Sequence, residues 1–371
     1  MQPLRLGTAG SAVAEVRRML ASIGLLDNTR PETADRFDTA TELAVRHFQQ
    51  RRGITVDGAV GRETYTALTG AHWRLGDRVL AHDSGQMLVG DDVSALQTQL
   101  LELGYDIARA DGMFGARTAD GLRAFQREYG MVADGICGPD TLRALRQLAR
   151  RVVGGRPQLL REMASVATAG PNLLGKQIVI DPGHGASDPG TVYEGITEAD
   201  LVWDLATRLE GRFKALGVQT WLTRGPATGG SEQDRATLAN DIGADLVLSL
   251  HVDGFPSPRP NGVAAYYFGA AVSSSTIGER LADLVQRELV ARTGMTNGRI
   301  HAKTWELLRL TRMPAVRVEL GYLTSPIDRV QLTNPLFRDT VAEGLLVAVQ
   351  RLYLPKADDP PTGVMRISAH A

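Results

Sequence analysis

The fold of the larger domain is decided by the stretch Ile178-Val179-Ile180-Asp181-Pro182-Gly183-His184-Gly185, an apolar run that ends in a Pro/Gly turn. The run has the character of a buried strand, and the turn presents an imidazole at its tip. The stretch Leu246-Val247-Leu248-Ser249-Leu250-His251 is similar, because a second buried-strand run also ends on a histidine. Such strands alternate with helical patterns over residues 176–354, which predicts an α/β domain with a mostly parallel sheet covered by helices on both faces.

Three residues at the predicted strand ends and helix start have the side chains of a catalytic zinc site. His184 and His251 end the two strands, and Glu198 opens the amphipathic helix that follows the first of them. The carboxyl ends of parallel strands meet at one edge of a sheet, so these side chains are expected to converge there. Two imidazoles and one carboxylate leave zinc an open position for water, which indicates a hydrolase. Each residue also has an ordinary alternative, since histidines are common in turns and a glutamate stabilises the start of a helix.

The N-terminal part of the chain contains an internal repeat. Leu20–Gly24 matches Leu100–Gly104 at an offset of 80, and Phe48-Gln49 matches Phe125-Gln126 at an offset of 77. The pattern Asp-Gly-x-x-Gly-x-x-Thr recurs at 57–64, 111–118 and 134–141, with a decayed form from Phe37 to Thr41. Glycine's φ freedom suits tight turns, so we interpret these residues as structural. The repeat indicates two copies of one small module.

Apolar spacing within each repeat is helical and predicts three helices per module. Val13, Val16 and Leu20, for example, share one face of the first helix. The two modules, over residues 6–69 and 84–147, resemble the peptidoglycan-binding type-1 family. That resemblance implies small all-α three-helix bundles that bind peptidoglycan or its precursors, with a protein-docking surface as the alternative.

The larger domain carries further motifs in a fixed order. Thr223-Arg224 follows a predicted strand, Arg235 and Ala239-Asn240 lie on a predicted helix, and Val316–Tyr322 forms a late strand. Together with the strand ends, these motifs resemble the zinc-dependent N-acetylmuramoyl-L-alanine amidases of the amidase-3 type over residues 176–354. That family cuts the amide between the lactyl group of muramic acid and the first alanine of the stem peptide.

The resemblance implies roles for individual residues. The zinc ligands of the family match His184, Glu198 and His251. Glu319 matches the catalytic glutamate, which takes a proton from water and returns one to the leaving amine. Arg309 is a candidate for substrate binding, with an ion-pair role as its alternative. Glu319 has a similar alternative, in which it only pairs with Arg317 or Arg309.

Two departures from the family pattern affect substrate handling. The residue two positions after the third ligand is usually asparagine and is Asp253 here, which adds negative charge near the metal. The segment Gly225–Gly230 lacks an acidic residue that is often found there. Neither departure removes a predicted zinc ligand.

Composition and sequence patterns bear on the partners and the cellular location of the protein. The chain has 371 residues and a net charge of −1, which gives no whole-chain case for nucleic acid or anionic lipid as a partner. No stretch reaches the length of a membrane span, no signal-peptide pattern opens the chain, and the single Cys137 cannot form an intramolecular disulfide. These features predict a cytoplasmic location, with the cell wall reached only by a non-classical route. Residues 148–175 are predicted to be a linker and 355–371 a disordered tail.

A second hypothesis comes from the combined architecture. Two type-1 modules, an amidase-like domain and a short polar tail resemble an actinobacterial type of amidase homologue. That resemblance implies a cytosolic regulator of peptidoglycan precursor synthesis, controlled by a serine/threonine kinase and acting with a phosphopeptide-binding protein. Thr362 is then the hypothetical phosphosite. The complete metal-ligand set favours the amidase, whereas the absence of an export-signal pattern favours the regulator.

Overall fold

The computed structural model describes residues 2–27, 35–83, 87–107, 109–149, 172–270, 274–354 and 361–365. The chain divides into two compact units, and the main division falls between Arg161 and Glu162. Most of the linker predicted at 148–175 lies outside the described residues. The first unit is helical, and the second has a six-stranded sheet flanked by helices, which confirms the predicted fold class. None of the described helices is long and apolar enough to cross a membrane.

The N-terminal unit contains two sets of three helices in its described part. They are α1 (Ser11–Ser22), α2 (Thr39–Arg52) and α3 (Arg62–Ala71) in the first module, and α4 (Asp91–Glu102), α5 (Ala116–Glu128) and α6 (Pro139–Ala149) in the second. Each set has its own apolar core, around Phe48 and Leu68 in the first module and around Phe125 and Leu145 in the second. Three helices per module agree with the apolar spacing of the sequence.

Buried glutamines hold the turns that follow α2, α4 and α5. The Gln49 side-chain amide donates to Asp57 Oδ1 (2.7 Å) and Thr64 Oγ1 (3.0 Å) and accepts from the Gly58 N–H (2.9 Å). The same contacts occur at Gln97 with residues 111–118 and at Gln126 with residues 134–141. We name each arrangement a glutamine clasp. The repeated turns therefore each have a partner on the preceding helix.

The turn that precedes α2 is held differently, by Arg17 of α1. Its guanidinium lies 2.9 Å from Asp38 Oδ1 and also contacts the Arg36 carbonyl and the Thr41 hydroxyl. Arg17 is buried, and Asp38 also caps α2 by accepting from the Thr41 N–H at 2.8 Å. The decayed form of the turn motif therefore depends on an ion pair instead of a glutamine clasp.

The C-terminal unit is built on a six-stranded sheet. Its strands are β1 (Gln177–Pro182), β4 (Gln219–Leu222), β5 (Leu246–Asp253), β6 (Val263–Phe268), β7 (Asn297–Lys303) and β8 (Ala315–Tyr322), in the order β4-β1-β5-β8-β6-β7. A separate hairpin pairs β2 (Val192–Tyr193) with β3 (Ile196–Thr197). Every pairing within the large sheet is parallel except that of β6 with β8.

Helices cover both faces of this sheet. They are α7 (Glu198–Ala215), α8 (Glu232–Ile242), α9 (Thr276–Thr293), α10 (Glu306–Leu310), α11 (Pro326–Thr333) and α12 (Pro335–Tyr353). One face, which includes Ile178 and Ile180 of β1, packs with α7, α9 and α12. The opposite face, which includes Val179, packs with α8 and α10. The alternation along β1 therefore separates two apolar layers.

Strand β7 was not predicted from the sequence. It reads Asn297-Gly298-Arg299-Ile300-His301-Ala302-Lys303, in which Ile300 is the one large apolar side chain, and its residues are half-buried or exposed. It forms the edge of the sheet next to β6. An edge strand buries little apolar surface and often carries charged side chains, so its hydrophobic signal is weak.

Part of the predicted tail packs against the C-terminal unit. The Gly363 N–H donates to Glu288 Oε1 (3.1 Å), and Arg351 Nη1 donates to Thr362 Oγ1 (3.3 Å). Glu288 and Arg351 also form a buried ion pair between α9 and α12. Residues 361–365 thus lie against two helices, which the expected disorder of the tail did not anticipate. The remainder of the tail is outside the described residues.

Candidate metal centre

Three of the predicted site residues converge at one point of the C-terminal unit. Glu198 Oε1 lies 3.2 Å from His184 Nε2 and 2.9 Å from His251 Nδ1. One ligand atom from each of the three side chains lies within 4.8 Å of the other two. Glu198 and His251 are buried, whereas 27% of the His184 side chain is exposed. The cluster is therefore a compact donor set that solvent reaches from the His184 side.

The turn after β1 sets the position of His184. His184 has a φ of 59°, in the left-handed region that is unfavourable for residues other than glycine. Gly183 packs directly on the ring of His251, because a Cβ at this position would lie 2.2 Å from His251 Cε1. Only glycine fits there. The Pro-Gly-His turn therefore both directs one imidazole and makes room for the other.

Neighbouring groups orient the ligand atoms. Glu198 Oε2 accepts from the Thr191 N–H (2.9 Å), and Oε1 accepts from the Val252 N–H (3.0 Å). Asp188 Oδ2 lies 2.7 Å from His184 Nδ1. A carboxylate on one ring nitrogen favours the tautomer in which the other nitrogen is available as a ligand. Asp188 therefore directs His184 Nε2 toward Glu198.

The protonation of the cluster is coupled to the binding of a cation, because a metal-ligating imidazole must be neutral. Burial raises the pKa of the Glu198 carboxyl, but hydrogen bonds from His184 and His251 outweigh it and hold that pKa below its ordinary value. The hydrogen bond to Glu198 raises the pKa of His184 to about 9 against the opposing effect of burial, and Asp188 adds to the rise. Without a metal ion, the raised pKa favours a protonated His184 at neutral pH. A metal ion bound by the same atoms would displace that proton.

Glu319 lies beside this cluster. It is opposite His251 in the register of β5 and β8, and it is buried. Arg317 donates from Nε to Glu319 Oε1 (2.8 Å) and also pairs with Glu232 at 3.2 Å. Glu319 Oε2 is buried and has no hydrogen-bond partner in the described part of the chain. The ion pair considered as an alternative for Glu319 is therefore present, and it leaves one carboxylate oxygen available.

A cavity of about 390 Å³ adjoins the cluster. Its lining comprises His184, Asp188, Gly190, Thr191, Glu198, Val252, Asp253, Arg317 and Glu319. Burial, together with the charge of Glu319, raises the pKa of Asp253 to about 6. The residue that departs from the family pattern thus brings a second carboxyl into the cavity beside Glu319, and at pH 7 a carboxyl with this pKa is still mostly ionised.

Two sequence candidates lie away from this cavity. Arg309 is on the short helix α10 and is not among the described residues that line the cavity, and its buried Nε has no hydrogen-bond partner in the same part of the chain. Thr362 contacts Arg351 on α12. Asp188, in contrast, was not singled out from the sequence. A carboxylate four residues after a predicted histidine ligand was the available signal.

Comparison with known protein families identifies the class. A family model described as N-acetylmuramoyl-L-alanine amidase matches residues 178–351, and one described as a peptidoglycan binding domain matches residues 9–68 and 89–145. The chain belongs to the N-acetylmuramoyl-L-alanine amidase family. The family resemblances inferred from the strand-end motifs and the repeat are confirmed.

Individual relatives extend this match. The N-acetylmuramoyl-L-alanine amidase CwlM of Mycobacterium tuberculosis is 49% identical over 372 residues, which span 97% of this chain and 92% of CwlM. The amidase LytC of Bacillus subtilis is 29% identical over 53% of this chain and 41% of LytC. Among solved structures, an amidase from Clostridium difficile 630 is 30% identical, with a TM-score of 0.45, and the match covers 47% of this chain and 95% of that one. The whole-chain match to CwlM confirms the predicted architecture.

Proposed function

We propose that this chain is a zinc-dependent amidase that hydrolyses the bond between the lactyl group of muramic acid and L-alanine in peptidoglycan. The observation that carries the proposal is the convergence of His184, Glu198 and His251 beside Glu319. A zinc ion held by the first three side chains would supply Lewis acidity, which polarises the amide carbonyl and acidifies water. Family membership supports the same bond specificity.

Glu319 is the residue that we expect to move the proton. Its Oε2, which has no hydrogen-bond partner among the described residues, accepts a proton from the attacking water. The water oxygen forms a bond to the carbonyl carbon, the C–N bond breaks, and Oε2 returns the proton to the departing alanine nitrogen. Arg317 holds Oε1 at 2.8 Å and so sets the direction of the carboxylate.

Arg317 is also the arginine that we expect to contact substrate. Its support is its place in the cavity lining and its position over the Trp305 ring, 4.5 Å from guanidinium carbon to ring centroid. Tyr266 packs on the same ring at 4.6 Å, which extends an aromatic surface from the site. Arg309 remains the substrate-binding residue that the sequence alone predicts. A guanidinium beside the cavity suits a substrate that carries carboxylate and amide oxygens.

The test combines metal content with turnover. Full-length wild type, His184→Ala and Glu319→Gln are assayed for bound zinc and for release of stem peptide from muropeptides. We expect wild type and Glu319→Gln to bind one zinc per chain, His184→Ala to bind none, and only wild type to turn over. Zinc bound by the wild type without turnover would overturn the amidase and leave a binding domain that kept its metal.

The N-terminal modules, over the predicted ranges 6–69 and 84–147, are proposed to bind peptidoglycan. A cavity of about 990 Å³ in the N-terminal unit, lined in part by Tyr129, Arg143 and Arg146, supports a ligand site in the second module. Two linked modules raise the avidity for a polymer through effective concentration. Co-sedimentation of the full chain with purified peptidoglycan, lost in Arg143→Glu, would support this role over protein docking.

A second candidate function is that of a phosphorylation-controlled regulator of peptidoglycan precursor synthesis. The position of Thr362 favours it, because this residue is half-buried and its hydroxyl contacts Arg351, the partner of Glu288. A phosphate on this hydroxyl would repel the neighbouring Glu288 carboxylate, which would release residues 361–365 from α9 and α12 and expose them to a phosphopeptide-binding protein. Thr362→Ala should then abolish binding of the kinase-treated chain to a forkhead-associated domain. Unchanged binding would remove this candidate.

A further inference from the structure

We propose that Asp181, Arg224 and Arg235 are positioning residues, which hold the three metal-ligand side chains in place before a metal ion binds. We name these residues the arginine network. The inference rests on the metal site of the proposed function, but not on the reaction at that site. None of the three is among the described residues that line the metal-site cavity, so they act through the backbone and through other side chains.

Arg224 joins the backbones that carry two of the ligands. Its Nε donates to the Pro182 carbonyl (2.8 Å), and its Nη2 donates to the carbonyls of Gly183 (3.0 Å) and Ala199 (2.9 Å). The first carbonyl ends β1, the second begins the turn that follows, and Ala199 follows Glu198 in the first turn of α7. One buried guanidinium therefore fixes the separation of this turn from the helix.

Arg235, on α8, holds the same turn from a different element. Its Nη1 donates to the Pro182 carbonyl (2.9 Å), and its Nη2 donates to the carbonyl of His184 itself (2.6 Å). His184 is the residue with the left-handed φ of 59°. A residue in such a conformation persists only where the surrounding structure determines it. The bond to the His184 carbonyl supplies that constraint.

Asp181 extends the network to the third ligand. Its Oδ1 accepts from Arg235 Nη1 (3.0 Å), and its Oδ2 accepts from the Ser249 hydroxyl (2.6 Å). Ser249 precedes His251 by two residues on β5, so both side chains lie on the same face of the sheet. Hydrogen bonds thus connect the turn of the first histidine with the strand of the second.

The electrostatic cost of this arrangement argues that it has a role beyond stability. Arg224 and Arg235 are 5% and 6% exposed and donate to the same carbonyl, so two like charges lie close together. Among the described ion pairs, only the one between Arg235 and Asp181 includes either guanidinium. Apolar side chains often stabilise a buried layer better than incompletely paired charges. A planar guanidinium, however, holds several carbonyls in one fixed geometry.

The first test uses metal-free, full-length protein. Hydrogen exchange of the amides at 183–188, 190–191 and 198–200 is compared in wild type, Arg224→Lys, Arg235→Lys, Ser249→Ala and the control Arg351→Lys. Arg351 is an equally buried arginine of the same unit, and it pairs with Glu288 instead of the ligand-bearing turn. We name Arg224→Lys, Arg235→Lys and Ser249→Ala the network variants, because Ser249 donates to Asp181. We expect faster exchange at these amides in the network variants, Ser249→Ala being the mildest, and no change there in the control.

The second readout is zinc affinity, measured by competition with a chelator. We expect roughly 10- to 100-fold weaker binding in the network variants, as for other groups that orient metal ligands, and wild-type affinity in Arg351→Lys. Unchanged exchange and affinity in the network variants, or equal losses in the control, would overturn the inference. Failure of the proposed function is different: the wild type would bind zinc without cleaving muropeptides, while the order of affinities would persist. If the wild type bound no zinc, hydrogen exchange alone would decide.

Discussion

Turns in the two units are held by side chains of opposite chemistry. In the N-terminal unit, the Gln49 clasp uses a neutral amide that donates to Asp57 and Thr64 and accepts from the Gly58 N–H. In the C-terminal unit, Arg224 and Arg235 only donate, and they bind the carbonyls of the turn after β1. Both arrangements satisfy buried polar groups, which are costly without a partner.

The two arrangements differ in whether they leave a side chain of the turn available to bind a ligand. A glutamine clasp binds the polar side chains of its own turn. The arginines bind the main chain and leave the His184 imidazole for the metal cluster. The first device gives stability to a small module, and the second presents a ligand. Substitutions in the N-terminal turns should therefore reduce stability, whereas substitutions in the turn after β1 should reduce metal binding.

The largest contrast is expected between two glycine substitutions. In Gly183→Ala the new Cβ would lie 2.2 Å from His251 Cε1, so the imidazole must move. A displacement of this size at a catalytic site reduces activity by roughly 100-fold or more. We expect loss of zinc and of muropeptide cleavage, measured by metal analysis and peptide release, with an otherwise folded chain.

Gly58→Ala is the matched control for that experiment. Its Cβ would meet the flexible Arg46 side chain at 2.7 Å, and the residue has a φ of +74°. We expect a loss of about 1 to 2 kcal/mol in the free energy of unfolding of the first module, because an alanine in the left-handed region is strained. Zinc content should be unchanged. A loss of zinc in this variant would contradict the separation of the two devices.

Gln126→Ala should have the next largest effect. It removes the partner of Asp134, Thr141, the Gly135 N–H and the Ile136 carbonyl together. Several buried polar groups lose a partner at once, so we expect the second module to lose about 3 kcal/mol of stability. Denaturant unfolding followed by hydrogen exchange in α5 and α6 measures this loss. If the variant lost less than about 1 kcal/mol of stability, water would have replaced the hydrogen bonds of the clasp.

The smallest effect is expected for Arg17→Gln, which introduces the residue that α4 carries at the matching position. Burial raises the pKa of Asp38, but hydrogen bonds from Thr41 and the Arg17 guanidinium lower it below its ordinary value of 3.8. A carboxyl with a lowered pKa contributes stability above its ordinary pKa, and the contribution is lost as the pH falls through the lowered value. The stability of the first module should therefore fall below about pH 4 in the wild type, and it should fall less in the variant.

Hydrogen exchange in α2 at pH 7 and at pH 3 measures that difference. Asp38 is partly exposed, whereas Arg17 is buried and has further hydrogen bonds that glutamine replaces in part, so the stability change at pH 7 should be about 1 kcal/mol. Parallel pH dependence in the two proteins would show that the Arg17 charge does not matter for this turn.

The convergence of the candidate ligands was predictable from the sequence. His184 and His251 follow buried strand runs, and strand ends in a parallel sheet share an edge. The partners of the turns were not predictable from spacing. Gln49 precedes Asp57 by 8 residues, whereas Gln97 precedes Asp111 by 14, so no fixed interval marks a clasp.

Polar residues inside apolar strands were also difficult to assign. Arg317 and Glu319 alternate with Val316 and Val318. The sequence left Arg317 and Arg309 as possible partners of Glu319, and the packed sheet shows that Arg317 is the one that pairs with it beside the cluster. The same packing was needed to choose between Arg309 and Arg317 as the arginine proposed to contact substrate. The roles of Arg224 and Arg235 depend on carbonyl groups, which have no signature in a sequence.

Strand β8 is parallel to β5 and antiparallel to β6. The chain therefore leaves β5 and enters β6 at the same end of the strands. Residues 254–262 therefore stay at the end of the sheet where β5 finishes, the same end that carries the metal cluster, instead of crossing the sheet. This rim includes Pro256, Pro258 and Pro260, and its Phe255 is 52% exposed. Evolution can lengthen or recompose such a rim without changing strand order or moving a metal ligand, so substrate range and catalytic chemistry are free to diverge separately.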